Sequence, residues 1–408
     1  MRLAVELYGT VIGTLEGDRR TFDFTATSAG LERFGLASQV LSTTIPLVMR
    51  APRHHAARRR NWFTELLPEG DQLDHMVAAA GLRRGDTPAF LARYGRDVAG
   101  ALQIWDLDDP TEPRKPALRT LDEAQVRELL TDPIGSPLAN APERGKSSLA
   151  GVQPKIVLTR QSNGWAQALG GYPTTHILKP QLQGARLSTI YDEEYGARLA
   201  RVVGLADFGA RVQVFDGLPA LVIERYDRRD GQRVHQEDFN QVLGAGGNEK
   251  YQEYGGVVSF ARIAGELDRA GLGSELPRLA RMVTFAVAIG NLDLHAKNLS
   301  VLHPVDRDAS LAPAYDVVPQ AHLPGSDGRL AMSVNGVYRH RAVTRADIAE
   351  EVRSWGLRSA GEVVEQSLVA VRQAATEETP LDGAHRGMQE DVLRSVENLL
   401  AHRGAGEG

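Results

Sequence analysis

Gly290-Asn291-Leu292-Asp293-Leu294-His295-Ala296-Lys297-Asn298, followed after a short gap by Leu311-Ala312-Pro313-Ala314-Tyr315-Asp316, is the stretch on which the reading of this chain turns. It sets Asp293 five residues before Asn298 and adds a second carboxylate, Asp316, at the end of another apolar run. Asp293, His295, Lys297 and Asn298 stand between apolar residues 285–289 and 299–302, and polar groups in such surroundings need partners or a task. A carboxylate ionises yet can sit within reach of a hydroxyl, so Asp293 suits a proton acceptor. Asn298 and Asp316 offer neutral and anionic oxygens, the hard ligands that magnesium prefers. A His/Asp metal site is the competing reading, but no second histidine stands nearby at i, i+4.

Protein kinases use the same spacing, with an Asp to accept the substrate hydroxyl proton and an Asn and a later Asp for the metal. Such chemistry also needs a phosphate-covering loop and a strand lysine. Lys146-Ser147-Ser148-Leu149-Ala150-Gly151-Val152-Gln153-Pro154-Lys155 precedes a strand and is rich in small residues whose backbone N–H groups can face phosphate. An ordinary polar turn is the alternative. Gly145-Lys146-Ser147 imitates the end of a Walker A loop, but the first glycine of that pattern would fall at Asn140 and no strand precedes it, which excludes a P-loop NTPase. Lys179 closes an apolar strand before Pro180, where it can lean over phosphates as a point charge or simply be solvated. Glu194, near the start of the next helix, is a candidate partner for it; a surface position for Asp192-Glu193-Glu194 is the alternative. Glu224-Arg225-Tyr226-Asp227 ends a strand just before the chain turns helical, where a two-lobed kinase presents backbone groups to the adenine edge. Arg53-His54-His55-Ala56-Ala57-Arg58-Arg59-Arg60 is a basic cluster, read as a solvated face or as a contact for nucleic acid or an acidic partner.

The chain has 408 residues, enough for two or three domains, and no cysteine, which excludes disulfides, thiolate metal sites and a cysteine nucleophile. A net charge of -5 provides no global field for nucleic acid. No apolar run approaches the roughly 18 to 20 residues of a membrane span. Charge enters the N-terminus too early for a signal-peptide core, so a cytoplasmic location is expected.

Residues 3–15 and 22–24 predict a small antiparallel sheet, and residues 63–67, 72–80 and 89–94 short amphipathic helices. The polar, proline-rich run 106–116 predicts a linker. Strands follow at 155–158 and 175–179, a helix at 193–203, and a hairpin of 212–215 and 220–226 around Asp216-Gly217. Helices then dominate, at 260–270, 276–289, 345–355, 360–375 and 388–402, and the Gly404-Ala405-Gly406-Glu407-Gly408 tail is expected to fray.

In this order the motifs resemble the HipA family of toxin serine/threonine kinases. The resemblance rests on Ser147 to Lys155, Pro173-Thr174-Thr175-His176-Ile177-Leu178-Lys179, Glu224-Arg225-Tyr226-Asp227-Arg228, His235-Gln236-Glu237-Asp238-Phe239, Asp293 to Asn298 and Tyr315-Asp316. Upstream, Leu66-Leu67-Pro68-Glu69-Gly70 and Tyr94-Gly95-Arg96-Asp97-Val98-Ala99-Gly100-Ala101-Leu102 match as well, so it covers nearly the whole chain. It implies an α+β, bilobal protein-kinase-like fold: an N-terminal β-rich accessory domain (1–105), a linker (106–144), an N-lobe-like sheet with one helix (145–235) and a mainly helical C-terminal lobe with the catalytic loop (236–408).

The same resemblance implies ATP and Mg2+. Asp293 would be the catalytic base, Asn298 and Asp316 the metal ligands, and Lys179 the contact to the phosphates. Ala150, Gly151, Val152, Gln153, Pro154 and Lys155 would cover the nucleotide, Glu224, Arg225 and Tyr226 would contact adenine, and His295, Ala296, Lys297 and Tyr315 would lie beside ATP. Ser148 matches the serine that the family autophosphorylates; a phosphate there would repel those of ATP and inactivate the enzyme. Family members phosphorylate translation factors, chiefly aminoacyl-tRNA synthetases. They are neutralised by a small helix-turn-helix antitoxin of the HipB type, and the pair represses its own operon. This chain shows no helix-turn-helix of its own, so operator DNA is expected only through the antitoxin. Pro180-Gln181-Leu182-Gln183-Gly184-Ala185-Arg186-Leu187 is not diagnostic of a substrate. A catalytically silent co-repressor and a small-molecule kinase are the competing readings.

Overall fold

Alternating apolar residues near the N-terminus make β1 (Arg2–Leu7) and β2 (Thr10–Glu16), with Leu3, Val5, Leu7, Ile12 and Leu15 buried. In the computed structural model, which describes residues 1–141, 144–151, 153–323 and 326–407, β3 (Asp23–Ala26) and, further along the chain, β4 (Gln103–Asp106) complete an antiparallel sheet of order β3-β2-β1-β4. Between them run α1 (Ser28–Phe34), α2 (Ala56–Thr64), α3 (Gly70–Ala79) and α4 (Thr87–Tyr94). Trp62 and Phe63 of α2 enter the core of this sheet. The helix expected at 63–67 begins earlier and ends at Thr64, because Leu66 and Leu67 are buried in the turn that leads to Pro68.

A second sheet follows the order β5-β7-β6-β8-β10-β9. Its strands are β5 (Ala117–Leu121), β6 (Ile156–Gln161), β7 (Gly164–Leu169), β8 (His176–Pro180), β9 (Ala210–Phe215) and β10 (Leu218–Glu224), and Asp216-Gly217 makes the expected turn between the last two. The stretch 106–144 is not merely a linker. Its residues 117–121 are the edge strand β5, paired antiparallel with β7, and α5 (Glu123–Thr131) packs Val126 and Leu130 against Ile156, Leu158 and Leu178. A capping box of Asp122 and Gln125 starts that helix.

Strands β1 to β8 and β10, with residues 213–215 of β9, lie in one of two compact units, which comprises Met1–Pro180, Gln213–Glu237 and Leu302–Ala309. The other comprises Gln181–Val212, Asp238–Val301 and Ser310–Gly408 and is mainly helical. It contains α6 (Thr189–Val202), α7 (Phe239–Leu243), α8 (Phe260–Arg269), α9 (Leu276–Ile289), α10 (Arg345–Ser354), α11 (Ala360–Glu377) and α12 (Met388–Leu400). From Met282 onward every residue of α9 is buried, and α11 and α12 pack against it, so it forms the axis of the unit. Asp238 with Gln241 and Thr344 with Asp347 cap α7 and α10. The tail does not fray through Glu407: Ala405 is buried and its N–H donates to the Val343 carbonyl at 2.9 Å, while Asn398 Nδ2 donates to the Ala405 carbonyl. No helix among the described residues is long and apolar enough to cross a membrane.

Candidate active site

In the helical unit α9 stops at Gly290, left-handed at φ 71°, whose N–H donates back to the Val287 carbonyl. The chain then folds around the backbone of Asp293. Asn291 Oδ1 accepts the Asp293 N–H at 3.2 Å, and the Asp293 carbonyl accepts the His295 N–H at 2.8 Å and Asn298 Nδ2 at 2.9 Å. The main chain of Asp293 is thus fully used in shaping the loop, while its side chain stays 39% exposed. His295 Nε2 lies 3.9 Å from Asp293 Oδ2, and the His295 ring meets Tyr251 edge-on at 5.4 Å. With its amide nitrogen tied to Asp293, Asn298 keeps Oδ1 as the oxygen for a cation.

Tyr315 fastens the second carboxylate to this loop. Its hydroxyl donates to the Lys297 carbonyl at 2.6 Å and meets Ser300 Oγ at 2.6 Å. The next residue, Asp316, is exposed and left-handed, with φ 54°. A non-glycine residue in that region costs free energy and concentrates at functional sites. A Cβ on Gly196 of α6 would stand 2.3 Å from the Val317 carbonyl oxygen, so the helix packs directly on the backbone beside Asp316. Among the described residues no group of three or more His, Cys, Asp or Glu side chains is placed to hold a metal. Asn298 and Asp316 by themselves could hold magnesium only if phosphates and water supplied the remaining ligands.

The sheet unit carries the other expected residues. Lys179 is buried on β8, opposite Leu221 of β10. Lys155 Nζ donates to the Ala150 carbonyl at 2.7 Å and closes a short loop around Gly151, with Gln153 and Pro154 half-buried; Val152 lies outside the described residues. Ser148 is fully enclosed, and its hydroxyl donates to the Leu66 carbonyl at 2.9 Å. Glu224 is exposed at the end of β10, opposite His176. The Tyr226 hydroxyl donates to Gln236 Oε1. Arg225 points inward: its N–H donates to the Thr175 carbonyl, and its guanidinium donates to both Asp227 oxygens at 3.0 and 2.8 Å, to Thr174 Oγ1 and to the Val98 carbonyl. A role at adenine for Arg225 would therefore use its carbonyl and not its side chain.

Two buried polar centres had no chemistry assigned from sequence. Asp97 accepts from Thr174 Oγ1 at 2.7 Å, Arg228 at 3.0 Å and Arg233 at 3.4 Å, with Arg225 at 3.7 Å. Burial opposes the charge on Asp97 and on Asp227, but the surrounding guanidiniums outweigh it and hold both carboxyls below the usual range. Glu237, completely buried, accepts from Ser42 Oγ at 2.6 Å, Thr43 N–H at 2.7 Å and Trp62 Nε1 at 2.9 Å, and meets His303 Nε2 at 3.0 Å. Burial acts against its charge, yet His303 and the Ser42 and Thr43 bonds bring its pKa down to about 2. Both residues stand in motifs visible in the sequence, Gly95 to Ala99 and His235 to Phe239, but their partners lie far away along the chain.

Two expectations need correcting. Asp192, Glu193 and Glu194 are buried and not surface residues; Glu194 pairs with Arg198 at 3.0 Å, within α6. The basic cluster divides: Arg53, His54 and His55 are exposed, whereas Arg59 is buried in a two-pronged pair with Asp23 at 2.6 and 2.7 Å.

Two family models match most of the chain. The HipA N-terminal domain matches residues 3–105 and the HipA-like C-terminal domain matches residues 147–378. The chain belongs to the HipA family. A putative kinase, Y4mE of Sinorhizobium fredii, is 33% identical to it over 341 residues, 80% of this chain and 79% of that protein. The serine/threonine-protein kinase toxin HipA of Shewanella oneidensis is 27% identical over 336 residues, 78% of this chain and 75% of that one. The solved structure of the Shewanella oneidensis MR-1 HipA, HipB and operator DNA complex matches with a TM-score of 0.76 at 25% identity, over 98% of this chain and 96% of that chain. The α+β, protein-kinase-like fold is thus that of a HipA chain, in a family of serine/threonine-protein kinase toxins.

Proposed function

We propose that this HipA-family chain transfers the γ-phosphoryl group of ATP to serine or threonine hydroxyls of a protein, and that it is the toxin of a toxin–antitoxin pair. The observation that carries this reading is the loop 290–298, which spends the backbone of Asp293 on its own architecture and turns the carboxylate outward. Asp293 accepts the proton of the attacking hydroxyl. Asn298 and Asp316 hold Mg2+, which would neutralise charge on the phosphates during transfer. Lys179 contacts the phosphates, Ala150 to Lys155 cover the nucleotide, Glu224 to Tyr226 meet adenine, and His295, Ala296, Lys297 and Tyr315 line the nucleotide from the loop side.

Ser148 is the residue that the chain phosphorylates on itself, with loss of activity. The partner is a helix-turn-helix antitoxin, through which the pair reaches operator DNA; the Shewanella HipA in complex with HipB and DNA supports this part of the reading. The target is a translation component, an aminoacyl-tRNA synthetase, in the cytoplasm. Purified, unphosphorylated protein incubated with Mg2+ and ATP, with Asp293→Ala alongside, tests the chemistry by intact-mass and peptide mass spectrometry. One added phosphate on Ser148, absent from the variant, is expected. No phosphate in either, from protein that binds ATP, moves the reading to a silent co-repressor or a small-molecule kinase.

A further inference from the structure

In the helical unit, just ahead of α8, one aromatic side chain stands in solvent on the same frame as the loop that carries Asp293. Tyr254 is 58% exposed, and among the described residues its hydroxyl makes no hydrogen bond. Its ring meets that of Tyr251 at 6.3 Å, and the Tyr251 ring meets His295 edge-on at 5.4 Å. His295 Nε2 lies 3.9 Å from Asp293 Oδ2. Three rings thus run from open solvent to the carboxylate assigned above to the acceptor hydroxyl. The inner part of the row is fixed in place. Lys250, buried, sets its Nζ 5.4 Å from the centre of the Tyr251 ring. The Gln252 N–H donates to the Ala331 carbonyl at 3.0 Å, and Gln252 Oε1 accepts the Ser333 N–H at 2.8 Å and Ser333 Oγ at 3.1 Å. The Ala331 N–H donates in turn to the carbonyl of Leu292, the residue before Asp293, at 2.9 Å. The row is therefore tied to the Asp293 loop twice, once through the rings and once through the strand Arg329–Val334.

A lone exposed aromatic residue needs no explanation. This one is held on a rigid frame beside a group assigned to the reaction, and such a frame is what placing a substrate next to its reacting hydroxyl requires. Its polar neighbours are committed elsewhere: Glu249 Oε2 accepts the Gly246 N–H at 2.9 Å, and Glu253 pairs with Arg329. Gly255 and Gly256, exposed and left-handed at φ 82° and 62°, follow Tyr254 and put no side chain beside its ring. The row thus offers an open aromatic face and not a charge. We propose that Tyr254 and Tyr251 form a ledge for an apolar or aromatic side chain of the protein substrate, flanking the serine or threonine that is phosphorylated, and that Tyr254 determines specificity at that position. This rests on the function proposed above and adds to it the feature by which the substrate chain is chosen. No step in the row from Asp293 to Tyr254 exceeds 6.3 Å, so at about 3.3 Å per residue of extended chain the recognised side chain lies within about six residues of the acceptor.

The probe is a positional-scanning library of soluble peptides, each with one central serine or threonine and one fixed neighbour at every position over that range on both sides. Unphosphorylated full-length protein receives the library with saturating Mg2+ and ATP, and transfer to peptide and to Ser148 is followed by mass spectrometry. Wild type should favour phenylalanine or leucine over glycine at one flanking position by about three- to tenfold, the worth of an aromatic contact. Tyr254→Ala should abolish that preference by raising KM for the favoured peptide, with kcat and the KM for ATP unchanged. Tyr254→Phe, which keeps the ring, should retain it. A preference that persists in Tyr254→Ala would overturn the inference, and so would a fall in kcat for all peptides alike, which would make the ring a support of the loop. Persistence of the preference with a change in sedimentation would assign the ring to a contact between copies of the chain. Phosphate on Ser148 but on no peptide would overturn the ledge and leave the kinase reading standing. Absence of phosphate from Ser148 and from every peptide would instead overturn the kinase reading itself, together with what rests on it.

Discussion

Asp293 commits its backbone to structure, and in the function proposed above its carboxylate is left for chemistry. Its N–H and carbonyl shape the loop, so the carboxylate can be changed while the loop is kept. Asp293→Asn should therefore lower the rate constant for phosphoryl transfer by about 10^2- to 10^4-fold, the usual worth of a general base, with nucleotide affinity nearly unchanged. A KM-against-kcat comparison reads this, and a selective loss of ATP affinity would contradict it. Asp316→Asn tests a different role. Asparagine tolerates the left-handed backbone at φ 54°, so folding should persist while the magnesium concentration for half-maximal rate rises several-fold. Arg225, by contrast, belongs to the interior. Arg225→Ala would leave Asp227 and Asp97 short of a buried partner and should cost about 3–5 kcal/mol in chemical denaturation.

Among the elements, α9 was the most legible, since its apolar run, an N-terminal proline and a terminal glycine are local signals and its bounds fell where they point. Gly290 then sets the direction of the loop 291–298. A side chain there would be strained at φ 71° and would bring Cβ to 2.9 Å from Ala321 Cβ. Gly290→Ala should cost roughly 1–2 kcal/mol and lower activity as Asn291 is displaced, measured by thermal unfolding beside a transfer assay. Strand β5 was illegible for the opposite reason. Its five residues are partly exposed and follow a proline-rich run, and they become a strand only by pairing with β7, more than forty residues onward. The N-terminal end of α2 was hidden inside a basic cluster whose Arg59 is neutralised by Asp23 from β3.

Over the whole molecule, buried polar centres join distant parts of the chain. Around Glu237 the segments containing Ser42, Trp62, His235 and His303 converge within the sheet unit. Burial, together with His303 nearby, brings the pKa of His235 down to about 4, against the pull of the Leu41 carbonyl, Glu237 and Asp227. The unfolded chain therefore binds a proton between pH 6.5 and 4 that the folded chain refuses, and stability present above pH 6.5 is lost through that window. Glu237, brought down to about 2, extends the loss from about pH 4.3 downward. Unfolding by urea should accordingly weaken by up to about 3 kcal/mol from pH 7 to pH 4, and His235→Asn should remove most of that fall. A flat profile in wild type would contradict it.

What the sequence determined by itself was local: helix periods and caps, the turn at Asp216-Gly217, the glycine that ends α9, and the spacing of Asp293, Asn298 and Asp316. Each depends on residues within a few turns of one another, so composition and order suffice. The tertiary structure decided which polar residues became interior. It alone put Arg225 into an ion cluster with Asp97, made Glu237 a hub, buried the acidic residues of α6 and enclosed Ser148 against Leu66. Those outcomes depend on pairing across long stretches of chain, where desolvation is offset only by partners that no local pattern names.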